Sequence, residues 1–292
     1  MAGRPLPLLV STGLAFGCNF PLGKLAMAAG VNPALWAAVI CLGAGLAVLA
    51  AALAFEPTGQ VPGLWRYAAV SSLLSNVIPL VLTFSVIAAI GSGLTAILVA
   101  TSPITTALIS LLLRVRPPSP GGLAGILVGL AGACLIVFAR QAGPGGGWSP
   151  FLVMAALIPV FLGAGNVYRT VAWPPGAGPL RLGAVINLAA VAPLLALAWA
   201  WGGLDLAPLA RIPWLVAAQL LASTVLYLML FRLQAVGGPT YLSQIGYVAA
   251  AAAAVIGVGF LGERYPPLVW VGVAVVVAGI AITTLAQRSD RR

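Results

Sequence analysis

AIGSGLTAILVATSPITTALIS (Ala89–Ser110) and AVGGPTYLSQIGYVAAAAAAVI (Ala235–Ile256) are two apolar stretches set 146 residues apart. At that shift Ala89 falls on Ala235, Gly91 on Gly237 and Ala107 on Ala253. At a shift of 147, Gly125, Ala131 and Gly132 fall on Gly272, Ala278 and Gly279. Each stretch reaches the ~20 residues a helix needs to cross the hydrocarbon core of a bilayer. The repeat therefore divides the chain into two membrane-spanning halves of nearly equal length. If each half holds an odd number of spans, the halves lie in opposite orientations. Inverted repeats of that kind build secondary transporters, with the substrate site near the midplane between them.

Composition agrees. Hydrophobic residues make up 62% of the 292 and charged residues 6%, against about 25% charge in a globular chain. The net charge of +10 would suggest nucleic acid in a soluble protein, but these basic residues are strung out singly and mark span ends. Cys18, Cys41 and Cys134 lie inside apolar runs, without metal or disulfide spacing, and read as packing residues.

Ten spans are predicted, at 6–28, 33–54, 66–87, 92–113, 121–139, 150–170, 179–201, 213–232, 238–260 and 267–286. Turn chemistry separates them, as at Asn32-Pro33, Trp173-Pro174-Pro175-Gly176 and Gly237-Gly238-Pro239. The expected fold is an all-α integral membrane protein of ten transmembrane helices, built as two inverted five-helix repeats around a central cavity. The first repeat is 1–141, a Gly-rich linker covers 142–149, and the second repeat is 150–292 with a short basic tail. With the N-terminus inside, Arg4, Arg66, Arg114, Arg116, Arg169, Arg181, Arg232, Arg288, Arg291 and Arg292 fall on the inner side. Only Lys24, Arg140, Arg211 and Arg264 fall outside. That bias places both termini in the cytoplasm. Asn19, Pro21 and Lys24 inside the first span argue against a cleaved signal peptide.

Polar groups at membrane depth are costly and mark function. Histidine is absent, and the acidic residues Glu56, Asp205, Glu263 and Asp290 fall in loops, the tail or a span end. No mid-membrane carboxylate or imidazole is available to relay protons. Transport is therefore expected not to be obligatorily proton-coupled. The neutral polar residues supply the candidate substrate-binding set: Asn19, Ser75, Asn76, Asn166, Tyr168, Gln219, Ser223, Tyr227, Gln244 and Tyr247. Gln219, Ser223 and Tyr227 share one helical face, and Gln244 and Tyr247 another. Amides suit the charged ends of a zwitterion and aromatic rings its side chain. Ser and Thr in such helices also bond backbone carbonyls one turn back. Lys24 reads as a side chain snorkelling to the outer surface, and Arg169 and Arg232 as inner-surface anchors. Pro21, Pro79, Pro103 and Pro159 each remove a backbone donor, which serves either gating kinks or static curvature.

The order of several pieces resembles the drug/metabolite transporter superfamily in its EamA-type branch: Phe16-Gly17-Cys18-Asn19-Phe20, Thr101-Ser102-Pro103, Phe260-Leu261-Gly262-Glu263-Arg264, and the glycine-spaced Val128-Gly129-Leu130-Ala131-Gly132 and Val277-Ala278-Gly279. Gly17-Cys18-Asn19 is itself similar to Gly163-Ala164-Gly165-Asn166 in the second half. Two departures stand out: Leu113-Arg114-Val115-Arg116 replaces the Gly-Glu pair expected at the end of the fourth span, and Tyr247-Val248-Ala249 lies where a proline is common. Within the superfamily the chain looks most like the YddG-type exporters of aromatic and other amino acids. The resemblance implies a basket of helices around a cavity lined by spans 1, 3, 4, 6, 8 and 9. It also implies export of amino acids or similar small metabolites by alternating access. The alternative is a proton-coupled exporter of other metabolites or drugs. No phosphate loop of the Gly-rich, Lys-Ser/Thr kind occurs, and no catalytic constellation favours an enzyme. The expected partners are a small-molecule substrate and the lipid bilayer, with no nucleic acid, no cofactor and no metal. The chain is expected as a monomer or weak homodimer.

Overall fold

The computed structural model describes residues 5–57, 59–115, 120–141, 150–202, 204–242 and 245–289. Within them every regular element is helical. In chain order these are α1 (Pro5–Ala28), α2 (Pro33–Phe55), α3 (Leu64–Ser72), a π-helical turn (Leu73–Val77), α4 (Ile78–Ile90), α5 (Ser92–Val99), α6 (Ser102–Leu112), α7 (Pro120–Gln141), α8 (Pro150–Val171), α9 (Pro179–Ala200), α10 (Ala207–Ala210), α11 (Pro213–Leu242), α12 (Ile245–Phe260) and α13 (Pro267–Ser289). Seven of them start on proline, where the missing N–H costs nothing and the fixed φ suits a helix. Many of the 23 prolines thus initiate helices. Asn32 completes one such start, its side chain accepting from the amides of Ala34 and Leu35 at the head of α2.

Six described stretches are long and apolar enough to cross a membrane: Pro33–Phe55, Leu64–Ile90, Ser92–Leu112, Pro150–Val171, Pro179–Ala200 and Pro213–Leu230. Shorter apolar helices cover Pro120–Gly132, Val248–Phe260 and Pro267–Gly279. Large apolar side chains such as Leu53, Phe55, Leu221, Val255 and Phe260 are exposed on the outside of the bundle, as lipid-facing residues should be.

The helices depart from the predicted spans in three places. The span expected at 66–87 carries the π-turn, directly before Pro79. Pro79 has no N–H to complete the α pattern, and one extra residue in the turn accommodates its ring. The span expected at 92–113 breaks at Ala100–Thr101, and Pro103 sits in the first turn of α6. By contrast, α11 runs on through Gly237, Gly238 and Pro239 to Leu242, where a break was expected. Pro21, Pro159 and Pro193 lie inside unbroken helices.

Glycines set the tightest seam, between α7 and α13. A Cβ on Gly279 would fall 2.3 Å from the Gly129 nitrogen, and one on Gly132 would fall 2.6 Å from the Val276 nitrogen. Gly121 faces Ala286 farther along, so the two helices run antiparallel. Small residues permit this backbone approach, which replaces the hydrophobic drive that lipid does not supply. Gly17 of α1 likewise rests on Ala249 and Ala252 of α12, and Gly163 of α8 rests on Thr105 and Thr106 of α6. Glu56, just past α2, accepts from the amides of Leu180 and Arg181 at the start of α9, each at 2.8 Å. That carboxylate ties the first half of the chain to the second and satisfies a helix N-terminus.

Candidate functional site

Among the described residues four further polar clusters join the two halves of the chain. In the first, Asn19 of α1 meets α11. Its Oδ1 accepts from Ser223 Oγ at 2.7 Å and from Gln219 Nε2, while its Nδ2 donates to the Ala15 carbonyl at 2.6 Å. Gln219 Nε2 also donates to Ser223 Oγ at 3.0 Å. Gln219 and Ser223 are fully buried, and Gln219 Oε1 has no hydrogen-bond partner. The shared helical face of Gln219 and Ser223 is thus the face that meets Asn19.

The second cluster holds Asn76 on the π-turn. Its Nδ2 donates to Asn187 Oδ1 of α9 at 3.1 Å and lies 3.8 Å from Cys41 Sγ of α2. Asn187 in turn donates to the Gly183 carbonyl at 2.9 Å. Asn187 was not among the sequence candidates, although one amide in an otherwise apolar span was the available signal. Ser75 points the other way, against Gly165 of α8, and its buried hydroxyl has no partner.

The third cluster surrounds α8. Asn166 Nδ2 donates to Thr106 Oγ1 of α6 at 3.1 Å, and Asn166 Oδ1 accepts from Arg169 one turn on. Thr105 Oγ1 donates to the Pro159 carbonyl, a second tie between α6 and α8. Arg169 is half-buried and interacts electrostatically with Tyr67 of α3 and Tyr227 of α11. Tyr168 turns aside and stacks on Tyr67, with ring centroids 6.1 Å apart and planes at 25°. The expected surface anchor at Arg169 is therefore an inward-reaching cation.

Lys24 also departs from its snorkelling reading. Its Nζ lies 2.7 Å from Glu263 Oε1, in the connection after α12. The Glu263 carboxylate accepts in addition from the Ser92 amide at 2.6 Å, Ser92 Oγ at 2.7 Å, the Gly93 amide at 3.0 Å and the Tyr265 hydroxyl. Tyr265 accepts from the Leu94 amide at 3.2 Å. The first amides of α5 are thus all satisfied by residues 170 or more positions away. Burial raises the Glu263 pKa, but Lys24, Tyr265 and the Gly93 and Ser92 amides outweigh it and hold the carboxyl at about 2, below its ordinary 4.5. Burial and the neighbouring carboxylate push the Tyr265 phenol up.

The EamA-like transporter family model matches residues 4–138 and again residues 146–285. The chain belongs to that family. As an EamA-like transporter it is a multi-pass membrane protein that moves small substrates. No curated protein matches it. Among solved structures, one described only as the crystal structure of a protein is similar over 95% of this chain and 98% of its own, with a TM-score of 0.63 and 22% identity. That similarity establishes a shared fold.

In this EamA-like transporter Asn19, Gln219 and Ser223 come together, Asn76 and Asn166 fall in two other clusters, and Ser75, Tyr168 and Tyr227 join none of these hydrogen-bonded groups. Gln244 lies outside the described residues, as does the side chain of Tyr247, whose backbone belongs to α12. A lateral cleft of about 570 Å³ opens between α5, α12 and α13, lined by Ile97, Ala254, Val258, Trp270 and Val273 among others. Its lining is apolar throughout and offers nothing to orient a polar substrate.

Proposed function

We propose that the chain is a secondary transporter of the YddG type. It exports amino acids, aromatic, hydrophobic and other neutral ones, across a bacterial inner membrane by alternating access. Ten spans form two inverted five-helix repeats, 1–141 and 150–292, joined by a linker at 142–149, with both termini in the cytoplasm. The family match in two successive parts supports the repeat. So does the glycine seam. Moving each partner by 147 residues converts Gly132 against Val276 into Gly279 against Gly129, which is the other contact in the seam. A two-fold axis that exchanges two antiparallel helices runs perpendicular to them, and hence in the membrane plane.

The observation that carries the substrate reading is the set of neutral amides and hydroxyls inside the bundle, contributed by both repeats. Asn19, Gln219 and Ser223 form one group and Asn166 and Thr106 another. Glu263 supports uncoupled transport, because a carboxyl held ionised down to about pH 2 does not exchange protons near neutrality. Paired amides suit the binding of a zwitterion with an apolar tail, and the candidate site is the set Asn19, Ser75, Asn76, Asn166, Tyr168, Gln219, Ser223, Tyr227, Gln244 and Tyr247. Pro21, Pro79, Pro103 and Pro159 supply the flexible points.

Counterflow of labelled amino acids in proteoliposomes tests the reading. Exchange of neutral amino acids is expected, without accumulation above equilibrium when a pH gradient is imposed. Absence of exchange across the panel would remove the substrate assignment, and gradient-driven accumulation would remove the uncoupled mechanism.

A further inference from the structure

We propose that Arg169, with Asn166 and the Tyr67 hydroxyl, is the subsite that takes the carboxylate of the transported molecule. The proposal rests on the amino-acid reading for the identity of the substrate, but not for the chemistry of the subsite. A guanidinium carries five N–H donors in a planar fork. Among the described residues Arg169 has one hydrogen-bond acceptor, Asn166 Oδ1. Asn166 is itself held by its bond to Thr106, so that acceptor is fixed in place. Among the described residues no carboxylate reaches the guanidinium: the ion pair is Lys24 with Glu263, and both oxygens of Glu56 are occupied by the α9 amides.

The surroundings also hold hydroxyl donors with nothing to donate to. Tyr67, 2% exposed, is electrostatically coupled to Arg169, and its hydroxyl is buried without a hydrogen-bond partner. Ser71, one turn along α3 and fully buried, lies beside that hydroxyl, and neither oxygen makes a hydrogen bond of normal geometry. Buried polar groups in native structures are nearly always satisfied. A cation with spare donors beside orphan hydroxyls therefore marks a place for an anionic acceptor. Tyr227 of α11 also lies in the neighbourhood of Arg169. The Arg169 side chain thus has neighbours on helices of both repeats. A planar carboxylate matches the guanidinium fork in two parallel hydrogen bonds.

The test measures binding of three probes to purified protein in nanodiscs: L-phenylalanine, L-phenylalaninamide and 3-phenylpropionate. The amide removes only the carboxylate, and the propionate only the amine. Wild type is expected to prefer L-phenylalanine to its amide by about tenfold to a hundredfold, the range of a charge-assisted hydrogen bond. Arg169→Gln should weaken binding of L-phenylalanine far more than binding of the amide and so erase that preference, and Arg169→Lys should restore part of it. Tyr67→Phe should reduce the preference by roughly threefold to tenfold, and it preserves the ring stack should Arg169→Gln fail to fold. Equal binding of acid and amide by wild type, or a preference that survives in Arg169→Gln and Tyr67→Phe, would overturn the subsite and leave the exporter reading standing. Arg169-dependent binding of 3-phenylpropionate with no binding of L-phenylalanine would keep the subsite and remove the amino-acid substrate.

Discussion

Two cations enter the interior of this bundle, and their surroundings differ. Lys24 meets a carboxylate at 2.7 Å, and that carboxylate also accepts from two backbone amides and two hydroxyls. Arg169 has one amide acceptor and unpartnered hydroxyls nearby. The two groups lie at opposite ends of the helices. Lys24 closes α1 beside the start of α2, whereas Arg169 and Tyr67 lie beside the end of α2 and the start of α9. A saturated cluster holds helices together and has no capacity left for a ligand. An unsaturated one adds little to the fold and keeps its donors available. Residue type does not separate the two cases, but the count of satisfied groups does.

The largest expected effect comes from emptying the saturated cluster. Glu263→Ala leaves Lys24 unpaired and uncovers the first amides of α5, and removing one partner of a buried pair costs about 3–5 kcal/mol. Thermal unfolding in detergent measures it. The double variant Lys24→Met with Glu263→Ala should recover part of the loss, because the remaining charge is then gone. A Glu263→Ala protein within 1 kcal/mol of wild type would mean that the cluster is not structural, and the contrast with Arg169 would collapse.

How much of this contrast was legible in the chain depends on sequence distance. Gln219 and Ser223 lie four apart, so helical periodicity alone placed them on one face, and the structure has that face meeting Asn19. Membrane class and helix starts were equally local, since each rests on an apolar run or on proline at a first turn. The Lys24–Glu263 pair spans 239 positions, and no periodic signal links its members. From its own neighbourhood each reads differently, one as a snorkelling side chain and the other as an acid at a span end. Arg169 was misread for the same reason: its place near a span end is local, whereas its neighbours Tyr67 and Tyr227 come from two other helices. The helix that continues past Gly237-Gly238-Pro239 shows a further limit, because turn residues break a helix only where the exposed backbone can find water.

The pH dependence of stability sharpens the comparison. The folded-state pKa of Glu263 is depressed from 4.5 to about 2. Its contribution is therefore present in full above the unfolded value and is lost as pH falls through the folded one. At 1.36 kcal/mol per unit, the depression corresponds to about 3 kcal/mol of stability, lost between pH 4.5 and 2. Unfolding midpoints measured across that window should fall for wild type and fall less for Glu263→Ala. A wild-type curve parallel to the variant's would show that Glu263 is not held ionised by its partners.

The smallest effect compares the helix ends that precede these two regions. After α12 the chain turns through Gly262 at φ 64° and then reaches Glu263. At the corresponding end of α6 the residue is Arg114 at φ 54°, followed by Val115 in place of a carboxylate. Among the described residues Arg114 is the one non-glycine with positive φ. A left-handed L-residue costs roughly 1–2 kcal/mol, offset in part by the greater chain entropy glycine loses on folding. Arg114→Gly should therefore raise stability by about 1 kcal/mol, and Gly262→Ala should lower it by a similar amount. Thermal unfolding of the two variants checks both signs. If Arg114→Gly destabilised the protein, the side chain would be contributing contacts that outweigh the strain, and the two helix ends would differ in packing as well as in charge.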